Sequence, residues 1–291
     1  MDIVRLTGRN LRLFFRDRAG VFFSLLSALI LIALYALFLG GLQVENLEGA
    51  FPNADLEDIS WFVNTWVFAG ITMITTLTTA LAALNVFVDD RATDRFRDFV
   101  VSPIRRSSLI LGYLSAAFIV SLSMTSLIIV IGQGYLLTQG QTPMAPLELL
   151  TLLGYTVLSA AAFSALAAFA VTFIRSTGAF SALSTVVGTL IGFLAGAYIP
   201  VGALPEGVVH GMNALPFAQS AMLIRQPYTA GAVDALTGGQ QQAVDELHAF
   251  YGISAYVGDT EIINPLAIGV LVMLLLAFAA LGAWRLSGKI R

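Results

Sequence analysis

Three aspartates, Asp90, Asp94 and Asp98, recur at every fourth residue of a short, highly charged stretch, 88–108. On a helix that spacing lines the carboxylates along one stripe. Phe96, Phe99 and Val100 sit at i, i+3 and i+4, so the same helix would carry an apolar patch. Arg91, Arg95 and Arg97 are interleaved with the acids. Aromatic residues beside alternating charges suit docking into a protein cleft. A solvated loop whose balanced charges only support topology is the plainer alternative, and the spacing leaves both open. Ser102-Pro103 then reads as the N-cap and first position of a following helix.

A second basic device stands at the N-terminus. Arg5, Arg9, Arg12 and Arg16 recur at intervals of 4, 3 and 4, which puts them on one narrow helical face. Ile3, Leu6, Leu13 and Phe14 fall on the far side. Residues 1–18 therefore read as an amphipathic interfacial helix, its arginines turned toward lipid headgroups or a partner. A simple topology anchor fits the same residues.

Other chemistry is sparse. The chain has no cysteine, so it has neither a disulfide framework nor thiolate chemistry. The histidines, His210 and His248, both fall in one polar connection and read as solvated or packed rather than as metal ligands. No G-x-x-x-x-G-K-[ST] loop occurs, so ATP is not held by that route, and any ATP-driven work would need another subunit. No acid, base and nucleophile are placed to act together, so an enzyme is the least expected reading. No catalytic residue, metal site or directly bound cofactor is predicted, and nothing points to nucleic acid.

The elements that must position these residues are set by composition. Of 291 residues, 11% are charged and 57% apolar, and the mean hydropathy is +0.84. A soluble domain carries about 25% charge, so a soluble enzyme and a disordered chain are both excluded. Charge-free stretches cover 19–44, 59–88, 107–147, 149–174, 176–205 and 262–284. Each is long enough for one crossing, which takes about 20 apolar residues. The longest ends in the polar turn 138–143, so it counts as one helix and a loop. The expectation is an all-α integral membrane protein, a single transmembrane domain over 1–291. Its spans are placed at 20–42, 62–88, 108–137, 148–174, 178–200 and 263–285. Segment 89–107 links the second and third, and a larger loop, 201–262, lies between the fifth and sixth.

Orientation follows from charge. Fourteen of the 15 basic residues fall on the side of the termini, and only Arg225 lies opposite. Twelve of the 18 acids lie with Arg225, five of them in 45–58. The positive-inside rule puts both termini and 89–107 in the cytoplasm and makes 201–262 extracellular. Trp61, Trp66 and Trp284 fall near span ends, as an interfacial belt would. One lysine against fourteen arginines, with abundant alanine, suggests a high-GC genome, and hence a bacterial cell membrane.

No ionisable side chain occupies the interior of any span, although proton- and ion-coupled transport commonly requires one. The second span instead carries Thr72, Thr75, Thr76 and Thr79 on one face. The fifth carries Ser184, Gly188, Gly192 and Gly196 at every fourth position, a ridge of small residues suited to close helix packing. The polar stretch from about Gln240 within the large loop reads as a short exterior helix.

The run F-V-D-D-R, continuing to D-F-V-V-S-P-I-R-R-S-S-L-I-L-G-Y, resembles the cytoplasmic segment of ABC-2-type (type V) ABC transporter permeases. A second similarity begins at Gly196-Ala-Tyr-Ile-Pro200-Val-Gly-Ala-Leu-Pro205 and continues through Leu215-Pro216 and Arg225. The basic N-terminal helix and six spans complete the pattern. The resemblance implies that Asp90, Arg91, Asp94, Arg95, Phe96, Asp98 and Phe99 form a coupling helix against a separate ATPase subunit. It implies that Arg5, Arg9 and Arg12 belong to a connecting helix. ATP and Mg would sit on that ATPase, and a second permease subunit, identical or homologous, would complete the path. The second and fifth spans would line it, so an uncharged, hydroxyl-rich wall would suit a drug, antibiotic peptide or lipid better than a charged sugar polymer. A channel or secondary transporter without an ATPase, or a membrane sensor using the outer loop, is the alternative. The chain departs from the family's pattern in having no glycine between Asp89 and Ser108 and in its long outer loop.

Overall fold

The computed structural model describes residues 2–93, 95 and 106–289, so Asp94, Phe96, Asp98 and Phe99 lie outside the described residues. Helix α1 (Asp2–Arg16) leads into α2 (Arg18–Ser24), whose first turn is capped by the Asp17 carboxylate accepting the Gly20 N–H at 2.9 Å. Helix α3 (Leu26–Leu34), a π-helical turn (Tyr35–Leu39) and α4 (Gly40–Ala50) run on as one apolar rod. Helix α5 (Leu56–Ala83) opens with Glu57 and Asp58 in its first turn, where negative charge meets the positive end of the helix dipole. A break at Leu84 separates it from α6 (Asn85–Ala92).

Five longer helices and two shorter ones follow among the described residues. Helix α7 spans Arg106–Thr138 and α8 spans Pro146–Val171. Pro146 starts α8 where no N–H is needed, and Glu148 accepts the Ala145 N–H at 3.0 Å. Helix α9 (Thr177–Leu194) is capped by Ser176, which accepts the Ala179 N–H at 3.2 Å. Helices α10 (Glu206–Asn213), α11 (Pro216–Thr237) and α12 (Gln241–Tyr251) come next. A two-stranded hairpin (β1 Tyr256–Val257, β2 Thr260–Glu261) leads to α13 (Asn264–Lys289).

Among the described residues, six helical rods are long and apolar enough to cross a membrane: Leu26–Ala50, Leu56–Ala92, Ser108–Thr138, Pro146–Val171, Thr177–Leu194 and Asn264–Arg285. The all-α, six-span expectation therefore holds. The second rod is the axis of the bundle. Most residues of α5 are buried, and it packs against α7, α8 and α11. The first, fifth and sixth rods form the periphery and turn Leu37, Phe38, Val186, Leu190, Met273 and Leu276 outward. In a membrane such faces meet lipid or another helix at little cost.

The bundle has two chemically distinct ends. One holds α1, α6, the start of α7 and the ends of α8 and α13, with Arg285 lying 3.6 Å over the Phe173 ring. We refer to it as the basic end. The opposite end holds α4, the start of α5 and helices α10 to α12. Residues 201–262 differ here from the expected loop. Helix α11 is inserted among the spans rather than lying outside them. Near its start, Ser220 exchanges a 2.7 Å hydrogen bond with Ser159 in the middle of α8, and Phe217 stacks on Phe163 at 5.5 Å. Near its end, Gly231 lies against Trp61 at the start of α5. The chain therefore returns into the bundle at α11 and climbs back out. Arg225, Gln219 and Gln226 make this segment too polar to read as buried, yet the structure gives each of these side chains a partner. The fifth rod is also shorter than 178–200: α9 stops at Leu194, where Gly196 (φ +60°) turns the chain in a conformation that favours glycine.

Candidate functional site

At the basic end, α1 lies across α7. Gly112 allows the approach, since a methyl there would come within 2.6 Å of the Leu6 side chain. Thr7 and Asn10 each donate to the Gly112 carbonyl at 3.4 Å. One turn on, Arg9 reaches α6. Its two terminal nitrogens donate to the two Asp90 oxygens at 2.7 and 2.8 Å, a bidentate fork. Tyr113 donates to the same carboxylate at 2.6 Å. Asp90 is 1% exposed and Arg9 29%. The carboxylate holds the Arg9 guanidinium above its ordinary pKa, through the hydrogen bond first and charge attraction in support, against a smaller opposing effect of burial. One buried carboxylate thus fastens α1, α6 and α7 together at the start of segment 89–107.

The other predicted coupling residues fare differently. Arg91 donates to the carbonyls of Thr172 and Ile174 at 3.0 and 3.1 Å, closing the C-terminus of α8. Arg95 is 62% exposed and stands 4.0 Å from Asp90. Arg5 and Arg12 are exposed, and Arg12 donates to the Gly8 carbonyl one turn back on its own helix at 3.1 Å. The structure therefore brings Arg9 and Asp90 together and leaves Arg5, Arg12 and Arg95 on the surface. Sequence reasoning put Arg9 on the same face as its neighbours. It did not find Tyr113, for which the only signal was a tyrosine two turns into the third span.

The four threonines of the second span are fully buried. Thr72, Thr75 and Thr79 donate to the carbonyls of Phe68, Ile71 and Thr75, and Thr76 to that of Met73, at 2.6 to 2.8 Å. Their protons are spent on their own helix. Ser121 of α7 donates to the Thr76 carbonyl at 2.6 Å and pins the two helices. The glycine ridge of α9 has distinct uses. Gly188 faces Ser27, and Gly192 receives the Tyr198 ring, which any side chain there would overlap. Gly196 makes the turn described above.

The opposite end carries a second node, absent from the sequence reading. Arg225 on α11 is 1% exposed. It donates to the carbonyls of Ala195 and Gly196 at 2.8 and 2.6 Å, and to that of Gly252 at 3.2 Å. It thereby caps both α9 and α12. Its guanidinium stacks 5.4 Å from the Trp66 ring centre. Trp66 donates to the Tyr251 carbonyl at 2.8 Å, and Tyr35 and Tyr251 meet its ring edge-on at 6.0 and 5.2 Å. Gly252 (φ +66°) lies so close that a methyl would come within 2.8 Å of the guanidinium. The available signal was that Arg225 is the lone basic residue on its side.

Between the nodes, toward the basic end, lies a cavity of about 670 Å³. The end of α1, helices α2 and α3, α5 and α6, and α9 line it, and it is open on one side. Among the described residues no group of three or more His, Asp or Glu is placed to hold a metal ion.

A family model described as ABC-2 type transporter matches residues 1–226. That range takes in both nodes' arginines, the first five rods and α11 as far as Gln226. No match to an individual curated protein was found.

Proposed function

The chain belongs to the ABC-2 type transporter family, and on that premise we propose that it is the permease subunit of an ATP-driven exporter in a bacterial cell membrane. The basic end and both termini face the cytoplasm, and α10 to α12 face outward. A separate ABC ATPase, carrying ATP and Mg, docks against segment 89–107 and α1. A second permease subunit, identical or homologous, completes the path. The cargo is a hydrophobic or amphiphilic molecule such as a drug, an antibiotic peptide or a lipid.

The observation that supports this reading best is the Asp90 node. An ATPase pushing on segment 89–107 moves α6, which continues the central rod α5. The bidentate Arg9 contact and the Tyr113 hydroxyl carry the same displacement to α1 and α7. A cytoplasmic push becomes a concerted tilt of spans 2 and 3 rather than a local deformation. Densely packed helices pass such shifts on with little loss. The far node offers the matching release point, because Arg225 ties the end of span 5 to α12 through carbonyls that a tilt of α5 and Trp66 would disturb.

The test is charge reversal of Asp94 and Asp98 to lysine in the assembled transporter. ATP hydrolysis without transport, at normal expression, is expected. Normal transport by the double variant would show that the ATPase does not dock there.

A further inference from the structure

We propose that the half-open cavity lined by the end of α1 and by α2, α3, α5, α6 and α9 binds an amphiphile carrying one positive charge, with N–H groups to donate. The identification of this molecule as the exporter's cargo rests on the permease reading above; the binding site itself does not.

The wall chemistry selects for a donor. Thr78, Ser181 and Thr185 all face the cavity. Each hydroxyl has already given its proton to a carbonyl one turn back, at 3.1, 3.1 and 3.0 Å. Ser24 does the same toward Val21 at 2.7 Å. What these groups present to a ligand is therefore lone pairs. Ser184 stands among them with a buried hydroxyl that has no partner among the described residues. A buried hydroxyl without a partner is costly, and a bound polar group would relieve it.

Charge selects for a cation. Four charged side chains line the cavity among the described residues: Asp17, Asp89, Asp90 and Arg95. Asp90 is neutralised by Arg9 and further occupied by Tyr113. Arg95, 4.0 Å from Asp90, cancels one further negative charge. One negative charge is left in excess, carried by Asp17 and Asp89. Each of these accepts a single side-chain or capping contact, from Gly20 N–H at 2.9 Å and from the Asn85 amide at 3.2 Å, and so retains lone pairs. An anionic ligand would meet this excess unrelieved, and a neutral one would leave the carboxylates unused.

Size and apolar surface complete the match. A volume of about 670 Å³ lies within the roughly 300–1,000 Å³ of drug-sized sites. Phe14, Phe180, Leu81 and Val187 line it and would take a hydrocarbon or ring system. The phenylalanine faces also suit a cation.

The test uses the purified full-length chain in nanodiscs of zwitterionic lipid, without any ATPase. Fluorescent ethidium is the reporter, competed by three probes of equal chain length: decylammonium, decanol and decanoate. Decylammonium should displace ethidium about tenfold more effectively than decanol, the scale of one partly screened charge contact, with decanoate weakest. Asp89→Asn keeps the Asn85 contact and should remove most of the decylammonium advantage, leaving decanol unchanged. Asp17→Asn, a substitution that still caps α2, should add to that loss. Equal competition by all three probes in the unaltered chain would overturn the proposal without recourse to any variant. So would an Asp89→Asn protein that elutes as the unaltered chain does and keeps the full ammonium preference. Because no ATPase is present, this result and the permease assignment can fail independently.

Discussion

Each end of this bundle is organised around one arginine, and the two are solved differently. Arg9 is half-buried and meets a carboxylate in a bidentate fork, with a tyrosine hydroxyl completing the set. Arg225 is wholly buried and has no carboxylate partner among the described residues. Three carbonyl oxygens and an indole face hold it. The first arrangement joins three elements by a charge pair whose members can be exchanged for a neutral pair. The second joins helix ends whose carbonyls have no other donor, so the arginine works as a cap with a charge rather than as half of an ion pair. One end is thus held by a bidentate contact to a single carboxylate, the other by three contacts to separate carbonyls that share one donor.

Breaking Arg225 should have the largest effect. Arg225→Met leaves the Ala195, Gly196 and Gly252 carbonyls buried without a donor, at about 1–3 kcal/mol each. Thermal unfolding in nanodiscs should lose at least about 3 kcal/mol. Arg225→Lys should recover little, because an ammonium cannot span two helix ends as the planar fork does. Near-full recovery by lysine would mean that charge alone matters at this end.

Asp90→Asn should cost less, about 2 kcal/mol, below the usual 3–5 kcal/mol for a buried pair because Arg9 can turn to water. The discriminating measurement is the double variant Arg9→Met with Asp90→Asn. Removing both charges should restore part of the loss, giving a coupling energy of about 1 kcal/mol or more. Strict additivity would show that the fork contributes nothing to holding α1 against α6.

The smallest expected effect concerns His248 on α12. Burial holds its imidazole below the ordinary pKa, only partly offset by Asp245 and Asp234. The unfolded chain therefore binds a proton more readily than the folded one. Stability should be full above about pH 6.5 and decline as the pH falls below that value toward the depressed folded pKa. His248→Gln should flatten this part of the profile. An unchanged pH slope in that variant would show that another group is responsible.

Which of these features could be read in the sequence follows from their physics. Long apolar runs are a one-dimensional signal, so the six rods and the amphipathic α1 were legible. The Asp90 node was not. Asp90 sits on the same four-residue stripe as Asp94 and Asp98, and its burying partner comes from 81 residues earlier. Spacing alone cannot tell a solvated carboxylate from one enclosed by another element. Helix α11 escaped because Gln219, Arg225 and Gln226 look like loop residues until their backbone partners are seen. The threonine stripe of α5 was visible as a pattern, but its hydroxyls turn to their own backbone and its face packs inside the subunit. The cavity was illegible for the same reason as Asp90, since its wall is assembled from the end of α1 and from α2, α3, α5, α6 and α9.

The central claim is that this chain works as a permease driven by a separate ATPase. The most direct measurement is purification of the tagged chain from its native membrane in mild detergent, with mass spectrometry of the complex. The account predicts a stoichiometric partner bearing the phosphate-binding loop that this chain lacks, and its loss when Asp94 and Asp98 are reversed to lysine. A folded chain that repeatedly emerges alone would contradict it.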